Sequence, residues 1–249
     1  MTFGTIALVL FVRACIMKTE QKGAMGLTKK LFAEAMIKFA LGVVLVGALI
    51  FLPAGGFDYW QGWLLMGILF IPMFGAGIVM MIKSPQLLKK RLSAKEKQGE
   101  QQLVVKLSGV MFLAAFVLAG LNHRYGWVLL PGWVSWVGAA LFLVSYGLYA
   151  EVLRENAYLS RTVEVQENQK VIDTGLYGIV RHPMYAVTLI LFLSMPLVLG
   201  SAISFVIMLT YPLIIRKRIL NEEKVLAEGL EGYTEYCDKV KYRLIPFVW

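Results

Sequence analysis

The chain has 249 residues, 58% hydrophobic and 16% charged, with a formal net charge of +9. A soluble domain carries about 25% charged residues, and here the apolar residues run in blocks of roughly 15–25, the length that crosses a bilayer core of about 30 Å. This excludes an ordinary soluble enzyme, and it assigns the positive charge to loops beside a membrane rather than to a nucleic-acid-binding face.

Seven candidate spans follow in chain order, at about 2–17, 32–52, 60–82, 104–121, 128–150, 186–199 and 202–215. The expected fold class is all-α, a polytopic transmembrane helical bundle of about seven spans. The first block has no preceding basic region and no clear small-residue cleavage site, so it reads as a retained helix rather than a signal peptide. The last two are short and joined only by LGSA, which reads as a tight helical hairpin. Pro196 and Pro212 fall inside them and are expected to kink them, freeing backbone carbonyls that neighbouring groups must satisfy.

The loops alternate in charge. Of the 25 basic residues, 22 fall between spans one and two, three and four (with Lys106 at the leading edge of span four), five and six, or in the tail; the opposite loops hold only Arg124, and Arg13 and Lys38 lie within spans. The positive-inside rule then puts the loops around residues 95 and 165 and the C-terminus in the cytoplasm, with the N-terminus outside. Tyr59, Trp60, Trp63, Trp127, Trp133 and Trp136 fit interfacial belts. Cys15 and Cys237 are far apart and form neither a disulfide framework nor a metal spacing, so no metal site is expected. His123 reads as incidental.

By chemistry the chain divides into residues 1–150, which are spans and ordinary loops, and 151–249, where the polar residues look placed for a task. In RENAYLSRTVEVQENQKVIDTGLYGIVRHPMY, residues 154–185, a polar loop leads through a glycine turn into RHP at the head of an apolar helix. Pro183 suits the first helical turn, which puts His182 at the N-terminus, where unpaired N–H groups favour an anionic ligand group. The bland alternative makes Arg181 a membrane anchor and His182 a simple cap. In RKRILNEEKVLAEGLEGYTEYCDKVKYRLIPFVW, residues 216–249, Arg218 and Glu222 are four apart and share a helix face. They are either a surface ion pair worth about 0.3–0.5 kcal/mol or, with Arg218 at headgroup depth, part of a site. The sequence contains no GxGxxG between a strand and a helix, no GxxxxGK[ST] and no HExxH.

RHPMY, an apolar hairpin and then R-x-x-x-E-E-x-x-L together resemble the isoprenylcysteine carboxyl methyltransferase family, over about residues 150–249. The resemblance implies a polytopic membrane methyltransferase of prokaryotic type. It implies an S-adenosyl-L-methionine pocket facing the cytoplasm, built from the C-terminal helices and loop without a Rossmann domain. On it, Tyr177 and the run His182, Pro183, Met184 and Tyr185 match the cofactor-contacting motif, and Gln169, Lys170, Val171 and Ile172 the loop that closes over the cofactor. Glu222 matches the cofactor-binding acid and Arg218 the catalytic residue that meets the substrate. Many relatives have glycine two residues after the motif tyrosine, where this chain has Val187.

The chemistry suits these residue types. A carboxylate acceptor is already ionised at neutral pH, so methyl transfer to it needs orientation rather than a base, and Arg218 offers a planar fork to hold it. The expected partners are a lipid-like or prenylated acceptor and the membrane lipids, with no nucleic acid. Two rivals stay open: a nicotinamide-dependent lipid or sterol reductase on the same fold, and a non-enzymatic transporter, for which broken helices in both halves would be the sign. Acceptor identity and oligomeric state are left open.

Overall fold

A computed structural model describes residues 30–93, 99–156, 158 and 165–249. The candidate span at 2–17, with Arg13 and Cys15, lies outside the described residues. The described secondary structure is helical: α1 (Lys30–Ala54), α2 (Trp60–Lys83), α3 (Pro85–Ser93), α4 (Gly99–Tyr125), α5 (Gly132–Glu155), α6 (Pro183–Val198), α7 (Ala202–Met208), α8 (Tyr211–Gly229) and α9 (Tyr233–Lys239). Four of them, α1, α2, α4 and α5, are long and apolar enough to cross a membrane. They coincide with spans two to five of the sequence, and the chain is an integral membrane protein.

The ends differ from expectation where polar residues continue a helix or proline stops one. Residues GEQQ precede the apolar part of α4 yet are helical, and α5 begins only at Gly132, because Pro131 sits in an extended conformation (φ −56°, ψ 144°). The expected span 202–215 is two helices. α7 ends at Met208 and α8 restarts at Tyr211, with Pro212 in its first turn. A proline lacks the N–H that an interior position must donate but costs little at a helix start. Pro212 therefore opens α8 instead of kinking a span, while Pro196 does lie inside α6. α8 then runs to Gly229, so the basic stretch after residue 215 is helix and not loop.

Packing follows membrane rules, with small residues at close approaches. A Cβ on Gly120 of α4 would lie 2.5 Å from the Ile50 carbonyl oxygen of α1, so only glycine allows this contact. α5 lies along α6, and α4 against α7 and α8. The core between them includes Ile50, Leu65, Ala115, Phe142, Val198, Met208, Tyr211 and Ile219. Polar groups inside it find carbonyls: Ser204 Oγ donates to Ala115 O at 2.8 Å and Tyr146 Oη to Leu69 O at 2.9 Å. At the turn between α6 and α7, Tyr59 Oη donates to Leu199 O, and Ser201 caps α7 by accepting from Ser204 N. Such bonds answer the demand that no backbone group stay unsatisfied in hydrocarbon.

Candidate active site

Three strips of chain converge beyond the apolar part of the bundle: the loop from Asn156 to the head of α6, the polar half of α8, and α9 with the tail. The loop is pinned at Gly175, which begins a 3-10 turn, Gly175–Gly178, with φ +52°. Positive φ disfavours other residues. A Cβ there would also stand 2.0 Å from the Glu155 carboxylate oxygens at the end of α5. The turn delivers Tyr177 inward. Its hydroxyl accepts from Asn156 Nδ2 at 3.0 Å and its carbonyl accepts from Tyr236 Oη at 2.7 Å. Burial pushes the Tyr177 phenol up to about 12, so it is a neutral donor at physiological pH.

Pro183 is the first residue of α6, as its fixed φ favours, and His182 is the cap residue. The cap is not made by the imidazole. The His182 N–H donates to Arg243 O, and the Arg181 N–H to Tyr242 O, both at 2.9 Å, so the tail pairs with the strip before α6. Neither bland reading of RHP holds. The Arg181 guanidinium is only 12% exposed and donates to the carbonyls of Val240 (2.7 Å), Lys241 (3.1 Å) and Cys237 (3.4 Å) and to Glu223 Oε1 (3.0 Å). His182 Nε2 stands 3.4 Å from the same oxygen, and Arg243 Nε donates to Glu223 Oε2 at 2.7 Å.

Glu223 is thus the knot that ties α8 to the head of α6 and to the tail. Burial pushes its carboxyl up, but His182 and Arg243 outweigh this and pull it down to about 2. A carboxyl lowered in the folded state stabilises fully above its ordinary pKa of about 4.5 and progressively less as pH falls toward about 2. Glu223→Gln should therefore lower the melting temperature by about 6–20 °C at neutral pH, since breaking a buried pair costs about 3–5 kcal/mol and each kcal/mol is worth about 2–4 °C in a chain of this length. The difference from wild type should shrink between pH 4.5 and 2. Thermal unfolding in detergent across that range checks both.

Glu222, the neighbouring residue, faces the other way. The Tyr185 hydroxyl donates to Glu222 Oε2 and accepts from Arg218 Nε at 2.9 Å. The arginine and the acid, one helical turn apart on α8, are therefore linked through the motif tyrosine of α6. A cavity opens beside this chain of three. Its wall contains Gln169, Lys170, Val171, Ile172, Tyr177, His182, Met184, Tyr185, Arg218 and Glu222, ten of the eleven residues singled out from the sequence. The eleventh, Pro183, is off the wall; its buried ring sets the start of α6 and so acts through the backbone. Val187 is also off the wall, packed with Val152 and Tyr177.

The wall also contains Asn156, Tyr158, Arg181, Leu226, Leu230, Tyr233 and Tyr236. The tyrosines of GYTEYCDKV, spaced i and i+3 on one face of α9, are the signal in the sequence that would have found two of these. Tyr233 Oη is buried without a hydrogen-bond partner among the described residues, whereas His182 Nε2 faces the Glu223 carboxylate. Buried polar atoms are ordinarily satisfied, so the Tyr233 hydroxyl on the cavity wall is a place for a ligand's polar atom. No group of His, Cys, Asp and Glu that could hold a metal occurs among the described residues.

Residues 136–228 match the isoprenylcysteine carboxyl methyltransferase (ICMT) family, the stretch that holds most of α5, all of α6 and α7, nearly all of α8 and the loop. A mouse (Mus musculus) protein, the delta(14)-sterol reductase TM7SF2, is 30% identical over 91 residues, 35% of this chain. The match spans 22% of the reductase's length. Among solved structures, the eukaryotic intramembrane Ras methyltransferase ICMT superposes with a TM-score of 0.54 at 16% identity, covering 100% of this chain and 88% of that one. Residues 136–228 thus resemble the isoprenylcysteine carboxyl methyltransferase family across the site-bearing core, and the chain as a whole shares the fold of that solved methyltransferase.

Proposed function

We propose that the protein is an S-adenosyl-L-methionine-dependent membrane methyltransferase that methylates a carboxylate on a lipidic or prenylcysteine-like acceptor. The observation that carries this reading is the Arg218–Tyr185–Glu222 chain on the cavity wall, which couples an acid suited to a donor's ammonium to an arginine suited to a carboxylate. The cavity residues fit the cofactor's chemistry. Glu222 would accept from the ammonium with charge assistance. Tyr177, Val171, Ile172 and Tyr233 would line the adenine slot, and Tyr233 Oη has a polar demand to meet. The amides at the head of α6 offer less than their position promises. The His182 N–H is taken by Arg243 O and Pro183 has none, which leaves Met184 and the imidazole for the donor's carboxylate. When bound, the cofactor supplies a methyl group activated on a sulfonium.

The chain's own task is then to hold the acceptor still and dry. A carboxylate needs no deprotonation near neutral pH, which agrees with a wall on which the Tyr177 phenol stays protonated. The Tyr185 hydroxyl fixes the guanidinium plane of Arg218 through Nε. A guanidinium held there suits a carboxylate in a planar, bidentate geometry that a lysine cannot reproduce. Orientation of this kind contributes up to about 7–11 kcal/mol to a displacement.

Orientation in the membrane follows from charge. With 22 of 25 basic residues in the loops and tail of one side, we assign that side, and the cavity with it, to the cytoplasm of a bacterial or archaeal cell. In a chain with Cys15 and Cys237 replaced by serine, cysteines introduced at positions 97 and 169 should be labelled from the cytoplasmic face only. Labelling of both from outside would reject the assignment.

A nicotinamide-dependent lipid reductase is the second reading, favoured by the 30% identity to the mouse reductase over 91 residues. Transport has less support: among the described residues a broken span occurs only at Leu209–Thr210, in the C-terminal half. Titration calorimetry of the detergent-purified protein separates the readings. Saturable binding of S-adenosylmethionine, with none of NADPH, is expected. Binding of NADPH alone would replace the first reading by the second.

A further inference from the structure

We propose that the groove between α1 and α2 is a binding site for an anionic phospholipid, with an acyl chain between the helices and the phosphate at a cluster of lysines where α3 closes the groove. The cavity is about 490 Å³ and, among the described residues, shares none with the candidate active site. Phe32 and Phe39 of α1 and Phe74 and Ile78 of α2 form its sides, and Leu88 and Leu92 of α3 close one end. Along α2 the wall is hollowed at Gly77, where a Cβ would meet nothing within 4 Å.

The closed end is charged. Lys38, eight residues into α1 and itself on the wall, donates through Nζ to Glu34 Oε1 at 2.6 Å and to the Leu92 carbonyl at 2.7 Å. Its ammonium is therefore held at the level of α3 rather than left to reach outward. Lys30 and Lys89 lie within electrostatic reach of the same Glu34 carboxylate. Three ammonium groups and one carboxylate thus gather where an apolar slot ends. Basic pockets between spans at the headgroup level select anionic lipids, and lysine stems lie comfortably along apolar walls.

The volume argues against a protein helix as the occupant. A helix about 10 Å across fills roughly 420 Å³ per 5.4 Å turn, so this groove takes little more than one turn. A flexible chain fills it without needing further surface. Charge selects between lipids: each lysine near an anionic headgroup is worth about a five-fold preference.

Native mass spectrometry of protein in neutral detergent, offered phosphatidylglycerol or phosphatidylcholine of the same chain length, tests the site. Phosphatidylglycerol should be retained at least ten-fold better, and Lys38→Gln with Lys89→Gln should lower its retention about five-fold per lysine without changing that of phosphatidylcholine. Gly77→Leu, which fills the slot on a lipid-facing helix, should reduce retention of both lipids. If Lys38→Gln fails to fold for want of its bond to Leu92, Lys89→Gln and Gly77→Leu carry the test. Equal retention of the two lipids, or retention unchanged in these variants, overturns the proposal.

Discussion

Glu222→Gln should weaken S-adenosylmethionine binding by about ten- to a hundred-fold, the cost of losing a hydrogen bond to a charged group, roughly 1.5–3 kcal/mol. The structure makes this substitution cleaner than it looks on paper. Gln keeps the carbonyl oxygen that accepts from the Tyr185 hydroxyl, so the link to Arg218 survives while the charge facing the donor's ammonium goes. Glu222 is not a member of the Glu223 knot, so the melting temperature should hardly move. Calorimetry with S-adenosylmethionine measures the loss. Wild-type affinity in this variant would remove Glu222 from the donor site. On helix periodicity alone, Glu223→Gln is the natural matched control, because it lies about 100° round α8. It is a poor one here, because the tail and the head of α6 hang on that carboxylate. A fall in donor affinity accompanied by a fall in melting temperature would trace to this knot and not to the cavity wall.

Arg218→Lys should leave donor affinity nearly unchanged and lower turnover ten-fold or more, the order of magnitude of one lost contact made in the transition state. Lysine keeps the charge but neither the Nε donor that meets Tyr185 nor the planar fork. A surface ion pair predicts the opposite, because lysine replaces arginine in such a pair at a cost of only about 0.3–0.5 kcal/mol. The assay is methyl transfer from a radiolabelled donor to a panel of prenylated cysteines and fatty acids, with affinity measured in parallel. Full turnover on the best acceptor would leave Arg218 an interfacial anchor and return weight to the reductase reading. A loss of turnover together with an equal loss of donor affinity would make Arg218 part of the donor site.

Much of this was legible in the sequence because two of its signals are local. Blocks of apolar residues locate α1, α2, α4 and α5, since a bilayer admits few other ways to satisfy the backbone. Helix spacing puts Arg218 and Glu222 on one face, and proline chemistry starts α6 at Pro183. Tertiary structure decided the rest, because it rests on contacts between residues far apart in the chain. It decided that Pro212 opens a helix, that Arg181 and His182 serve the tail through Glu223, and that Tyr233 and Tyr236 return to the cavity from α9. It also decided that Tyr185, 37 residues before Glu222, is the hydroxyl joining the acid to the arginine. Periodicity can assign such residues to a face, but only the packing of α6 against α8 determines which groups meet there.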